Sequence, residues 1–107
     1  MVSQEFCIIL ITASSVEEGE RIAASLVDNH LAACVNVVPS IKSFFFWDGK
    51  SDRQSEVLLI AKSTKALLSQ IIDHVKKIHS YSVPEVIAIP VIGGSEDYLK
   101  WVEKTTS

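Results

Sequence analysis

A chain of 107 residues, 48% hydrophobic and 21% charged, has the composition of a folded domain and not of a disordered one, and its length suits a single core. The formal net charge of −3 and a pI near 5.5 argue against phosphate-backbone binding, which needs a basic face, so no nucleic-acid partner is expected. The first apolar run, Phe6 to Ile11, is too short for a signal-peptide core and follows no basic residue, and nothing approaches the ~20 apolar residues of a membrane span, so a cytoplasmic protein without a membrane partner is expected.

Phe6–Thr12 (FCIILIT) is apolar on both faces and rich in β-branched residues, which predicts a central strand. Ser14 and Ser15, each followed three residues later by Glu17 and Glu18, offer two overlapping capping boxes for a helix. Val16, Gly19, Ile22, Ala23, Leu26 and Val27 line one side of that helix, and Asn29 and His30 end it, with His30 in solvent.

Ala33–Val38 reads as a second strand that Pro39 interrupts, implying a bulge or an edge position. The extended chain resumes through Ile41 and Phe44–Trp47. Asp48-Gly49 is a hairpin turn signal, and the return strand runs over about Glu56–Ala61, making residues 33–62 one long, bent hairpin. A second helix is predicted over Lys65–Ile78, where Leu67, Leu68, Ile71, Ile72, Val75 and Ile78 repeat at three and four residues. His74 falls on its wet face beside Asp73. Val86–Ile92 follows as a strand carrying Pro90, and Ser95 opens a terminal helix with Tyr98, Leu99, Trp101 and Val102.

The order β-α-β-β-α-β with a final helix is the split βαβ, ferredoxin-like arrangement, an α+β fold with helices on one face of an antiparallel sheet. Residues 1–107 are expected to form one such domain. Its strands should then alternate apolar and polar, yet FCIILIT, EVLLIA and VIAIPVI barely do, and FFFW lies in the hairpin. So much apolar surface predicts an obligate oligomer with the open sheet face covered; a hairpin folded back over its own sheet is the alternative. Cys7 and Cys34 lie in apolar runs with no CxxC spacing, the pattern of reduced core residues.

HSYSVPE, residues 79–85, groups His79, Tyr81 and Glu85, with Pro84 biasing Val83 to an extended backbone. One reading is a corner satisfying its own groups: His79 on helix carbonyls, Tyr81 at an interface, Glu85 with a lysine. The other gives His79 and Glu85 to a divalent metal such as copper or zinc, as imidazole nitrogen and carboxylate oxygen. Glu56 and Lys62 bracket the EVLLIA strand beside this corner, where Lys62 either binds an anion or pairs with Glu56 or Glu85. Gly93-Gly94 before Ser95 is either a backbone anion cradle or a helix-breaking turn. No GxSxG, HExxH or P-loop is present, so no enzyme is expected.

The segments LAACVNVVPSIKSFFFWDGK (31–50), EVLLIAKS (56–63), HSYSVPEVIAIPV (79–91) and DYLKW (97–101) stand in the order and spacing of one family. On them the chain resembles the CutA family of divalent-cation tolerance proteins. The resemblance implies a ferredoxin-like fold, a compact homotrimer similar to the PII signalling proteins, and a non-enzymatic role in copper or divalent-metal tolerance. A PII-like sensor of a small molecule or anion, signalling to a protein partner, is the alternative. In such a trimer the hairpins join neighbouring sheets edge to edge. The implied inter-subunit cleft holds His79 and Glu85 as metal residues, with Trp47, Glu56, Lys62 and Tyr81 around them. The chain departs from the family at two places. Ile11 stands where some members carry a cysteine suggested as a copper ligand, and Ile78-His79-Ser80-Tyr81 replaces a His-Pro-Tyr or His-His-Pro-Tyr pattern.

Overall fold

In a computed structural model, which describes residues 5–107, the elements follow the predicted order: β1 (Phe6–Ala13), α1 (Val16–Asp28), β2 (Cys34–Trp47), β3 (Lys50–Thr64), α2 (Leu68–Ile78), β4 (Val86–Pro90) and α3 (Glu96–Thr105). The strands form one antiparallel sheet in the order β2-β3-β1-β4, which is the ferredoxin-like topology. β1 occupies the interior because it has the side chains for it: Ile9, Ile11 and Ala13 are completely buried. They pack with Leu59 and Ala61 of β3, with Ile22 and Leu26 of α1, and with Ile71 and Val75 of α2. The approach of α1 to β3 is close. A Cβ at Gly19 would stand 3.0 Å from Cγ1 of Val57.

The hairpin is more regular than the sequence suggests. β2 runs unbroken from Cys34 to Trp47, and the irregularity forced by Pro39 is a register shift between Val38 and Ile41. At the tip, Asp48 (φ 53°) and Gly49 (φ 75°) both take the left-handed region, the geometry of a type I′ turn. That turn matches the twist of its strands, so pairing continues to Trp47 opposite Lys50, and β3 begins well before the expected Glu56.

Other expectations are corrected. The stretch Lys65–Leu67 is a 3-10 turn and not the start of α2, since Thr64 provides no side-chain cap and Lys65 N–H instead bonds the Glu5 carbonyl at 2.9 Å. β4 stops at Pro90, which has no N–H for the ladder; one further bond, from Val91 N–H to the Phe6 carbonyl, closes the end. His74 is not on a wet face: its Nε2 lies 2.7 Å from Ser25 Oγ and links α2 to α1. His30 follows the end of α1, at φ 57°, and is exposed as expected, with its Nδ1 3.1 Å from the Thr105 carbonyl of α3.

The register explains the missing alternation. Ile8, Leu10, Leu58, Ile60, Ile87 and Ile89 meet on the sheet face opposite α1 and α2, where Ile8 sits across from Ile89 and Leu10 across from both Ile60 and Ile87. Ile87 and Ile89 remain 52% and 47% exposed there. Phe44, Phe46 and Trp47 are exposed along the hairpin as well. Among the described residues, no helix is long and apolar enough to cross a membrane.

Candidate functional site

The site begins at the start of α1. Ser15 is the N-cap, its Oγ accepting from Glu18 N–H at 3.1 Å, and the Glu18 carboxylate turns back to accept from Ser14 N–H (3.0 Å) and Ser14 Oγ (2.7 Å). This is a capping box whose return bond falls one residue upstream of the cap. The same carboxylate also accepts from Ser80 N–H (2.7 Å) and Ser80 Oγ (3.0 Å), across the whole layer to the corner after α2. Its side chain is only 5% exposed. Burial pushes the Glu18 carboxyl up, but the bonds from Ser14 and Ser80 outweigh burial and hold its pKa at about 2.

Beside it, the His79 side chain is fully buried. Tyr81 N–H donates to His79 Nδ1 at 3.0 Å, so the proton of the neutral ring sits on Nε2, which donates to the Thr12 carbonyl of β1 at 2.7 Å. Nδ1 also lies 3.8 Å from Glu18 Oε2. The ring packs at 4.7 Å against the ring of Tyr81. His79 therefore reaches a strand carbonyl with its ring, and only its backbone N–H closes α2, on the Val75 carbonyl at 2.9 Å.

Tyr81 carries the arrangement outward. Its hydroxyl donates to Glu56 Oε2 at 2.8 Å. Burial, the bond to Glu56, and the charges of Glu56 and Glu18 push the Tyr81 phenol up to about 12, so it remains a donor at neutral pH. Glu85, just before β4 and largely exposed, has its carboxyl raised by the partial desolvation it does undergo and then by the charge of Glu56. The Glu56 carboxylate and the Tyr81 phenol thus meet at one corner of the sheet, near enough to Glu85 for the charge of Glu56 to act on it. The ion pairs among the described residues include neither Glu56 nor Glu85.

His79, Tyr81, Glu56 and Glu85 are brought together within one copy of the chain; Lys62 and Trp47 are not. Six residues of strand, about 20 Å, separate Lys62 from Glu56 along β3, and the same length of β2 separates Trp47 from Ile41, the partner of Glu56. The pairing expected between Lys62 and Glu56 or Glu85 is therefore replaced by a hydrogen bond from Lys62 Nζ to Asn36 Oδ1 on the neighbouring strand.

The donors of the corner suit a metal ion unevenly. Both ring nitrogens of His79 are engaged, and coordination would displace the Tyr81 amide or the Thr12 carbonyl. The carboxylates of Glu56 and Glu85 offer oxygen donors, which suit harder divalent ions better than they suit copper. Among the described residues, no group of three or more His, Cys, Asp or Glu stands together as a ligand set.

Glu18 escaped the sequence reading as anything beyond a cap. One signal pointed to it: Glu18 precedes Ile22 and Leu26 at steps of four, which places a carboxylate on the buried stripe of α1. Such a group needs several donors.

The family model described as "CutA1 divalent ion tolerance protein" matches residues 7–105. The chain is 46% identical over 99 residues to "Protein CutA, chloroplastic" of Arabidopsis thaliana, covering 92% of this chain and 54% of that one. It is 45% identical to the "Divalent-cation tolerance protein CutA" of Archaeoglobus fulgidus, covering 91% of this chain and 94% of that one. The crystal structure of CutA1 from Oryza sativa superposes with a TM-score of 0.95 at 42% identity, covering 97% of this chain and 95% of that one. The chain spans about half the length of the first plant relatives it matches, 56% of the Oryza sativa subsp. japonica protein and 54% of the Arabidopsis one.

Proposed function

The chain belongs to the CutA1 divalent ion tolerance family, and from that premise we propose that it acts without catalysis, as a homotrimer that binds or responds to a divalent cation, copper among them, at the cleft around Glu85. The observation that carries the reading is the carboxylate pair. Glu56 and Glu85 stand close enough for the charge of one to raise the other, and no cationic side chain among the described ion pairs neutralises them. A divalent cation between them would relieve that repulsion. Glu85 supplies the most accessible oxygen. Glu56 is already steadied by the Tyr81 hydroxyl. His79 would join the ligands only by releasing one of its two hydrogen bonds, so its part in the site is to hold Tyr81.

The homotrimer is supported by the apolar outer face of the sheet, Ile87 and Ile89 above all, and by the exposed Phe44, Phe46 and Trp47 of the hairpin. A neighbouring copy covering these surfaces would bring the separated Trp47 and Lys62 regions into shared clefts.

Calorimetric titration of metal-free protein with Cu²⁺, Zn²⁺ and Mn²⁺ tests the reading, with light scattering to establish the assembly and Glu85→Gln and His79→Ala run alongside. Saturable binding that Glu85→Gln abolishes supports it. Absence of saturable binding with all three ions, or binding indifferent to Glu85→Gln, refutes it and redirects attention to small organic ligands.

A further inference from the structure

The corner between α2 and β4 has no regular secondary structure, and two of its backbone amides are satisfied by buried side chains. Ser80 N–H bonds the Glu18 carboxylate and Tyr81 N–H bonds the His79 ring. Glu18 comes from α1, 62 positions earlier in the chain. Its four short partners are two hydroxyls, which can turn, and two backbone amides, which cannot. Oε1 holds Ser14 N–H, Ser14 Oγ and Ser80 Oγ; Oε2 holds Ser80 N–H. Only an ionised carboxylate presents acceptors on both sides at once. A glutamine has one oxygen, so whichever way its amide turns, one of the two fixed N–H groups meets another donor.

We propose that Glu18 is a positioning residue for the cleft: by bonding Ser14 and Ser80 together, it fixes the α2–β4 corner so that Tyr81 stays packed on His79 with its hydroxyl on Glu56. The chain of contacts is continuous. Glu18 holds Ser80, His79 lies between the Thr12 carbonyl and the Tyr81 amide, and the Tyr81 ring packs at a tilt against His79 while its hydroxyl reaches Glu56. A carboxylate serving only to start α1 would need Ser14 and not Ser80. The positioning rests on bonds within the chain; only its effect on cation affinity rests on the function proposed above.

Amide hydrogen exchange resolved by residue decides the matter. In the wild-type protein, Ser80 and Tyr81 should exchange far more slowly than an unstructured corner does. In Glu18→Gln, the oxygen is expected to remain where Oε1 makes its three bonds, so Ser80 N–H loses its acceptor and should exchange about 10- to 100-fold faster, with Tyr81 following, while Ser14 stays protected. Ser14→Ala deletes one hydroxyl bond and leaves both bonds to Ser80, so it should not loosen the corner. Ser80 and Tyr81 exchanging freely in the wild type would overturn the proposal without recourse to any variant, and so would full protection of both in Glu18→Gln. Where the wild type binds a cation, Glu18→Gln should weaken that binding and Ser14→Ala should not. A wild type that binds no cation, with a corner loosened in Glu18→Gln, would refute the cation reading and leave the positioning role standing.

Discussion

Acid should remove a specific part of this protein's stability, and Glu18 is where it acts. The folded state holds the Glu18 pKa at about 2, against an ordinary value of 4.5. The unfolded chain therefore takes up the proton first. The stabilisation is complete above about pH 4.5, declines as the pH falls through the window between the two values, and is gone below about 2. At about 1.4 kcal/mol per tenfold change in proton affinity, the difference corresponds to about 3 kcal/mol. With the side chain 5% exposed, solvent screening takes little of this away. Glu85 works in the opposite sense, because its raised carboxyl favours the folded state as protons bind. The measurement must therefore compare Glu18→Gln with the wild type and not rely on the wild type alone. Urea unfolding at fixed protomer concentration, repeated at several pH values between about 6 and about 2, gives both curves, the fixed concentration holding any assembly constant. The wild type should be the more stable at neutral pH, and the gap should narrow by about 3 kcal/mol on acidification. Two curves falling in parallel would refute the argument that the Ser14 and Ser80 bonds hold Glu18 ionised.

Three further outcomes are expected. Leu59→Ala empties a fully buried position between β1 and α1 and should cost about 2–5 kcal/mol in chemical denaturation. Ser15→Ala removes the N-cap acceptor of Glu18 N–H and should cost about 1 kcal/mol, read as a lower urea midpoint with an unchanged slope. Replacing Phe44, Phe46 and Trp47 together by serine should leave the circular dichroism of the helices intact, because these side chains stand exposed on the hairpin; light scattering should then report a smaller assembly, and an unchanged mass would refute a role for the hairpin in association.

How far the site was legible in the sequence depends on the residue. HSYSVPE marked the corner where His79, Tyr81 and Glu56 gather, because seven residues separate a helix ending from a strand entry that a proline fixes. The roles within it were not legible. His79 looked like a helix-end cation or a free ligand, and became a buried ring bonded on both nitrogens, since β1 happens to place the Thr12 carbonyl within its reach. Lys62 looked like a partner for Glu56, but six residues of β3 keep the two apart, and Lys62 bonds Asn36 on the neighbouring strand instead.

The sequence by itself determined the element order, the capped start of α1, the Asp48-Gly49 turn and the bulge after Val38, because each depends on the dihedral or hydrogen-bonding preferences of a few adjacent residues. The apolar excess of the strands also announced an apolar second face before any register was known. Tertiary structure alone decided the meeting of Glu18 with Ser80, of His79 with Thr12 and of Tyr81 with Glu56. Those pairs lie 25 to 67 residues apart, and no local preference encodes them. They exist because packing two helices on one sheet face brings the start of α1, the end of β1 and the end of α2 to a single corner, where buried polar groups must find one another.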